Sequence, residues 1–232
     1  VTKLMTAMVI LDAGLPTDER IEITKADRDL RRLTGSRLRV GARLSRGELL
    51  TLALMSSENR AAAALGRTYP GGTKAFVQAM NRKAVELGMS QSRFADAAGL
   101  DADNVATAND LARLVLAAMQ YPAIQEATTR SKIEVRPFRK RGPLRYVNTN
   151  RLLRNGKWDI QISKTGYINE SGRCLVMHTQ LNGTPTVMGL LNSFGKLTPF
   201  GDANRVRKWV EKGIGTKLQQ SAQVAPADSP NT

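Results

Sequence analysis

The chain has 232 residues, 41% hydrophobic and 24% charged, a balance that fits a soluble globular fold of one large domain or two small ones and excludes a disordered chain. Its 35 Lys and Arg against 20 Asp and Glu leave +15, a charge that attracts polyanions such as nucleic acid, anionic lipid or envelope polymer, or simply keeps the protein in solution. One cysteine, Cys174, excludes an internal disulfide and thiolate zinc sites, and one histidine, His178, leaves no second imidazole for a metal triad.

In chain order, residues 1–13 are apolar on every side, the mark of a helix buried in a core, and Gly14 and Pro16 end it. This apolar run is interrupted by Thr6 and falls short of the roughly 18 residues a membrane helix needs. Ile21 and Ile23 alternate with Glu22 and predict a short strand, and residues 31–46 read as a very basic loop. Ser45 and Glu48 form a capping box before an apolar helix over 49–56, and 61–65 continues helical after a break near Asn59. Gly71–Gly72–Thr73 opens an amphipathic helix with Phe76, Val77, Met80 and Ala84 on one face, ending at Gly88. Thr107 and Asp110 cap another helix carrying Leu111, Leu114, Val115 and Ala118, stopped by Tyr121–Pro122.

Beyond that point the period changes. Ile133 and Val135 alternate, 138–145 is a basic loop, and 158–165 reads as a strand. Residues 175–180 and 186–191 are two further strands joined at Asn182–Gly183, a hairpin signal. Residues 202–212 make a closing helix with Val206, Trp209 and Val210, and the polar tail 218–232 is expected to be disordered. Helices first, then strands and a last helix, predict an α+β fold with a small antiparallel sheet of about three clear strands. Such a sheet usually wants further partners.

Some polar residues sit where the pattern is apolar. Lys3 leads the first helix, where both the positive end of the dipole and the nearby core favour its neutral amine, a usable general base. The plainer reading is a terminal lysine reaching water. Alternation along the strand puts Lys164 on the face of Ile160 and Ile162, toward the helices, with Thr165 and then Gly166, which admits a ligand or backbone closely. An edge lysine at a strand end is the alternative. Ser57–Glu58–Asn59 follows a buried helix, where short polar side chains ordinarily cap. Cys174 and His178 share a strand face, which permits a thiol–imidazole dyad or two ordinary sheet residues.

Taken together, Lys3, Ser57–Glu58–Asn59 and Lys164–Thr165–Gly166 follow the order of Ser-x-x-Lys, Ser-x-Asn and Lys-Thr-Gly in the serine penicillin-recognising enzymes. The stretches VTKLMTAMVILDA, LALMSSENRAAAALG, FADAAGLD, NTNRLL and KTGYINESGRCLV resemble the D-alanyl-D-alanine carboxypeptidase and endopeptidase family of low-molecular-mass penicillin-binding proteins. The likeness is strongest to the soluble periplasmic endopeptidases of Gram-negative bacteria. It implies a β-lactamase/DD-peptidase-like catalytic domain over 1–217, with strands and a helix ahead of the first motif that complete a larger sheet. The motif serine is expected immediately before Val1, outside this sequence.

The resemblance implies that this serine attacks the D-Ala carbonyl and Lys3 takes its proton. Ser57 would relay a proton to the leaving amine, and Asn59 would orient Lys3 and the substrate amide. Lys164 would supply positive charge near Ser57 and the substrate carboxylate. Thr165, Gly166 and Tyr167 would bind substrate, the Tyr167 main-chain amide sharing the oxyanion hole with that of the serine. It further implies peptidoglycan stem peptides as substrate, β-lactams as covalent inhibitors, and no cofactor or metal.

A β-lactamase is the rival within the superfamily, but the class with Ser-Asp-Asn needs a loop glutamate followed four residues on by asparagine. Glu86, Glu126 and Glu134 are not so followed, and position 58 is Glu. The rival outside it is a non-catalytic envelope-binding module using the +15 surface. Aromatics at 5%, with no aromatic–basic alternation, argue against nucleic acid. Whether a cross-link or a terminal D-Ala is cut is expected to turn on the groove around Tyr167 and the loop 138–145.

Overall fold

The most apolar segment of the sequence becomes the centre of the fold: every residue from Lys3 to Ile10 in helix α1 (Lys3–Asp12) is buried. The computed structural model describes residues 1–154 and 156–213, so the tail 218–232 lies outside the described residues. After α1 come the strand β1 (Arg20–Glu22), then β2 (Arg43–Ser45) and the helices α2 (Arg46–Met55), α3 (Asn59–Arg67), α4 (Gly72–Glu86), α5 (Ala108–Ala118) and α6 (Pro122–Thr129). The second half holds β3 (Lys132–Val135), β4 (Leu144–Val147), β5 (Asp159–Ile168), β6 (Gly172–Leu181), β7 (Thr184–Ser193) and helix α7 (Thr198–Glu211).

The α+β architecture is the one expected. β5, β6 and β7 form an antiparallel sheet, while β1–β2 and β3–β4 are separate two-stranded ribbons. Asn182 and Gly183 turn the β6–β7 hairpin with φ of 49° and 75°, the left-handed pair such a two-residue turn requires. The capping box holds too: the Ser45 hydroxyl accepts the Glu48 N–H at 3.1 Å, and the Glu48 carboxylate accepts the Ser45 N–H at 2.7 Å.

The sheet separates two cores. Ile162 and Val176 face the helices in the main cluster, whereas Ile160, Leu175 and Met177 pack with Trp158 and Ala203 against α7. This corrects the expected strand face. Ile160 pairs with Thr179 and Ile162 with His178, so Gln161 is an extra residue and the alternation breaks at a bulge. Lys164 therefore shares its face with Ile162 but not with Ile160.

Other departures have equally local causes. Strand β2 arises within one segment expected to be a basic loop and β4 begins in the last two residues of the other, because each finds a partner strand that charge content does not reveal. Pro122 does not merely stop a helix; it begins α6, where the first position needs no N–H.

The segment after α4 brings carbonyl groups toward α1. Asp96 accepts the main-chain N–H groups of Gly99 and Leu100 and the Asn104 amide, which fixes the loop. Its neighbours face inward: Thr6 donates to the Ala97 carbonyl at 2.7 Å, and the Ala98 carbonyl faces Lys3. Gly66 of α3 permits this approach, since a Cβ there would stand 2.9 Å from the Ala97 Cβ and 3.0 Å from the Phe76 ring. Gly66→Ala gains up to about 1 kcal/mol of helix propensity but overpacks the contact at a cost of about 1–3 kcal/mol. A thermal midpoint a few degrees below wild type is expected by calorimetry; an equal or higher midpoint would show that the contact yields freely.

Candidate active site

The chain passes from α2 to α3 through a sharp reversal. The N–H groups of Ser56 and Glu58 both donate to the Leu52 carbonyl, and Ser57 between them adopts φ 58°, a left-handed conformation that a residue with a Cβ adopts only at a cost. Glu58 caps α3 through the Arg60 N–H, which leaves Ser57 and Asn59 at the mouth of a cleft. The Thr149 N–H, bonded to the Met55 carbonyl at 3.1 Å, pins the reversal from the sheet side.

Two lysines arrive at this turn from distant parts of the chain. Lys3 donates to the Asn59 Oδ1 at 2.7 Å and to the Ala98 carbonyl at 2.6 Å. The Asn59 Nδ2 in turn donates to Thr34 Oγ1 at 3.1 Å, which fixes the amide with its oxygen toward Lys3. Lys164 donates to the Ser57 Oγ at 2.9 Å and to the Thr165 carbonyl at 3.0 Å. Lys3 is 5% exposed and Lys164 1%.

Burial lowers the Lys3 pKa to about 8, against the opposing pull of Asp96 and Glu58. Burial also holds Lys164 well below its usual range, helped by the positive charge of Lys3. A neutral amine has two N–H bonds and one lone pair. On Lys3 the carbonyl oxygens of Asn59 and Ala98 take both N–H bonds, so the lone pair is free to accept a proton.

The cleft has a volume of about 820 Å³ and is lined by Lys3, Ser57, Asn59, Thr165, Gly166 and Tyr167 among others. Lys164 stands directly behind Ser57. All seven residues singled out in the sequence therefore meet at one place. A Cβ on Gly166 would lie 3.0 Å from the Val1 nitrogen and 3.6 Å from the Cys174 Cβ, so the strand edge stays open only for glycine. Tyr167 is exposed, its ring 4.2 Å from the Arg173 guanidinium. Arg151, Arg154, Arg173 and Lys196 also line the cleft, giving it a cationic rim.

Of the two readings open for Cys174 and His178, that of ordinary sheet residues is the one that holds. Cys174 donates to the Ser171 carbonyl and His178 meets Gln161 at 2.9 Å; four residues of strand separate them by about 13 Å, which excludes a dyad. Among the described residues, none of the 138–145 loop lines the cleft, and Val147 is the first residue after it that does. The sequence reading missed Thr34, the Ala98 carbonyl, and Thr149, whose hydroxyl accepts from Thr165 at 2.7 Å. It also missed Arg32, which donates to the Leu100 carbonyl and to Glu170 and ties three loops together beside the cleft. Only Asp96, with Gly99 three residues on, carried a visible turn signal.

The chain is similar to known proteins over most of its length. The profile of the family described as D-alanyl-D-alanine carboxypeptidase matches residues 1–195. A D-alanyl-D-alanine endopeptidase of Pseudomonas aeruginosa is 48% identical over 223 residues, spanning 96% of this chain and 72% of that protein. One of Escherichia coli is 44% identical over 236 residues, spanning 98% and 76%. Among solved structures, a Streptomyces DD-transpeptidase superposes with a TM-score of 0.81 at 26% identity, covering 90% of this chain and 85% of that one. A Listeria monocytogenes penicillin-binding protein in its cefotaxime-bound form gives 0.74 at 28% identity, covering 89% and 84%.

The buried amines leave a mark on stability. Lys3 releases its proton near pH 8 when folded and near 10.5 when unfolded, so between those values the unfolded state binds more protons and stability rises with pH. Wild type is expected to gain about 2 kcal/mol more than Lys3→Met between about pH 7.5 and 9.5 in urea unfolding. Parallel slopes for the two proteins would contradict the lowered pKa.

Proposed function

The chain belongs to the D-alanyl-D-alanine carboxypeptidase family, and on that premise we propose that it hydrolyses D-alanyl cross-links in peptidoglycan through an acyl-enzyme. The observation that carries this reading is the convergence of two buried lysine amines on Ser57 and Asn59 in one cleft. The endopeptidase preference is supported by the names of the relatives at 48% and 44% identity.

The chemistry follows from the polar contacts. The Val1 nitrogen lies against Gly166, so a serine joined to it enters the cleft beside Lys3. Lys3 takes that hydroxyl proton as the serine oxygen bonds to the D-Ala carbonyl carbon, and Asn59 holds the amine in place. The main-chain amides of the serine and Tyr167 receive the developing oxyanion. Ser57, bonded to Lys164, gives its proton to the leaving nitrogen as the C–N bond breaks and takes one from the Lys3 ammonium, which returns Lys3 to the neutral amine. The substrate carboxylate draws Lys164 back to its charged form and pairs with it. Thr165 and Gly166 align the peptide along the open edge of β5. Water then attacks the ester carbonyl carbon, its proton passing to Lys3 and from Lys3 to the serine oxygen as the C–O bond breaks, which regenerates both the serine and the neutral amine.

β-Lactams are expected to acylate the same serine, a reading supported by the cefotaxime-bound structural relative. The compartment this substrate requires is the periplasm, and no helix among the described residues is long and apolar enough to cross a membrane.

Fluorescent penicillin is expected to label the protein on the tryptic peptide that ends at Lys3. An adduct elsewhere, or no adduct, would refute the assignment and favour a non-catalytic binding module. Lys164→Ala should lower the acylation rate by at least about 100-fold with the circular dichroism spectrum unchanged. The wild-type acylation rate should climb with pH up to about 8, the range in which Lys3 becomes neutral, and level off above it. Digests of purified muropeptides should show cross-linked dimers consumed faster than monomeric pentapeptides; the reverse preference would make the enzyme a carboxypeptidase.

A further inference from the structure

The β3–β4 hairpin carries a charge density that the cleft chemistry does not use. Arg136, Arg139, Lys140 and Arg141 are all exposed, and among the described residues none has a carboxylate within ion-pair distance. In the same ribbon, Arg145 is paired, with Glu134 at 2.9 Å. The neighbouring loop extends the surface. The Arg43 N–H donates to the Pro137 carbonyl at 3.0 Å, and the Arg37 guanidinium covers the Tyr146 ring at 4.1 Å, with Arg39 exposed beside it. Arg141 lies 5.1 Å from the Phe138 ring, which orders the hairpin tip.

This surface continues one wall of the cleft. Strand β4 runs from the hairpin to Val147, and Val147, Asn148 and Thr149 line the cleft. From Arg141 to Thr149 the chain spans at most about 27 Å. A single acyl-D-alanyl peptide fits the cleft, whereas a polymer bearing many such peptides extends past it and brings further carboxylates over the hairpin.

The rings beneath the cations are not free for base stacking: Tyr146 is buried under Arg37, and Phe138 is covered by Arg141. The tip residues 139–142 hold no apolar side chain that could enter a bilayer. A hydrated polymer with repeated carboxylates suits such a surface.

We infer that the hairpin and the 37–39 loop form an electrostatic docking site that grips stem-peptide carboxylates of the substrate polymer outside the cleft, an inference that rests on the peptidase reading. Each exposed ion pair contributes little alone, but several in register hold a polymer and are weakened together by salt.

The test compares wild type with a variant carrying Arg136→Gln, Arg139→Gln, Lys140→Gln and Arg141→Gln. Co-sedimentation with purified sacculi should be roughly tenfold weaker for the variant, and sacculus digestion slower. Cleavage of a soluble cross-linked dimer and penicillin labelling should match wild type. For wild type alone, raising salt should release the protein from sacculi while leaving dimer cleavage intact, a measurement that stands even if the variant folds poorly. Equal sedimentation of both proteins would overturn the inference. So would wild type binding anionic vesicles or DNA as tightly as sacculi. A wild type that binds sacculi in this salt-dependent way but neither cleaves the dimer nor takes the label would instead sink the peptidase reading and leave the docking surface standing.

Discussion

Two lysine amines held out of water within reach of each other's charge are the constraint on which the rest of the structure depends. Among the described residues neither lysine has a carboxylate partner; both donate to neutral oxygens, Lys3 to Asn59 and Ala98, Lys164 to Ser57 and Thr165. Carboxylate partners would hold both amines protonated. Neutral acceptors satisfy their N–H bonds while leaving desolvation, and on Lys164 also the charge of Lys3, to favour loss of a proton. The charges of Asp96 and Glu58 act on Lys3 from farther off and restrain the fall, which leaves its pKa near the pH at which a base works best.

Holding those acceptors in place explains the irregular backbone around them. Ser57 takes a left-handed conformation because two N–H groups share the Leu52 carbonyl across the α2–α3 reversal. Ala98 presents its carbonyl because Asp96 ties its loop and Gly66 lets α3 come close. Thr149 joins the two halves, its N–H on the carbonyl that ends α2 and its hydroxyl beside Thr165. The helical half thus supplies Lys3 and its acceptors, and the sheet supplies the second amine and the open edge.

The sheet itself is organised by one inserted residue. The bulge at Gln161 sends Ile160 to the small core under α7 and Ile162 to the main core, so both faces of β5 are buried and Lys164 turns toward the helices. Were Gln161 paired in regular register instead of bulged, strict alternation would put Ile160 and Lys164 on one face, and either the α7 contact or the cleft amine would be lost.

Much of this was legible before any coordinates. The apolar α1, the capping box at Ser45 and Glu48, the Asn182–Gly183 turn and the α+β order follow from local periodicity and local hydrogen bonding, which a sequence carries directly. The motif residues Lys3, Ser57, Asn59 and Lys164 could be named from their order, since that order accompanies a particular chemistry. Strands β2 and β4, the start of α6 at Pro122 and the bulge at Gln161 could not, because each depends on what a segment finds opposite it. The same holds for the partners of the site: Thr34, the Ala98 carbonyl and Thr149 have no marking residue type, and they matter only through distances set by packing. Sequence determined which groups this protein has for its chemistry. Tertiary structure alone decided how dry those groups are and what they touch, because burial and hydrogen bonds between distant segments exist only once the chain has closed on itself.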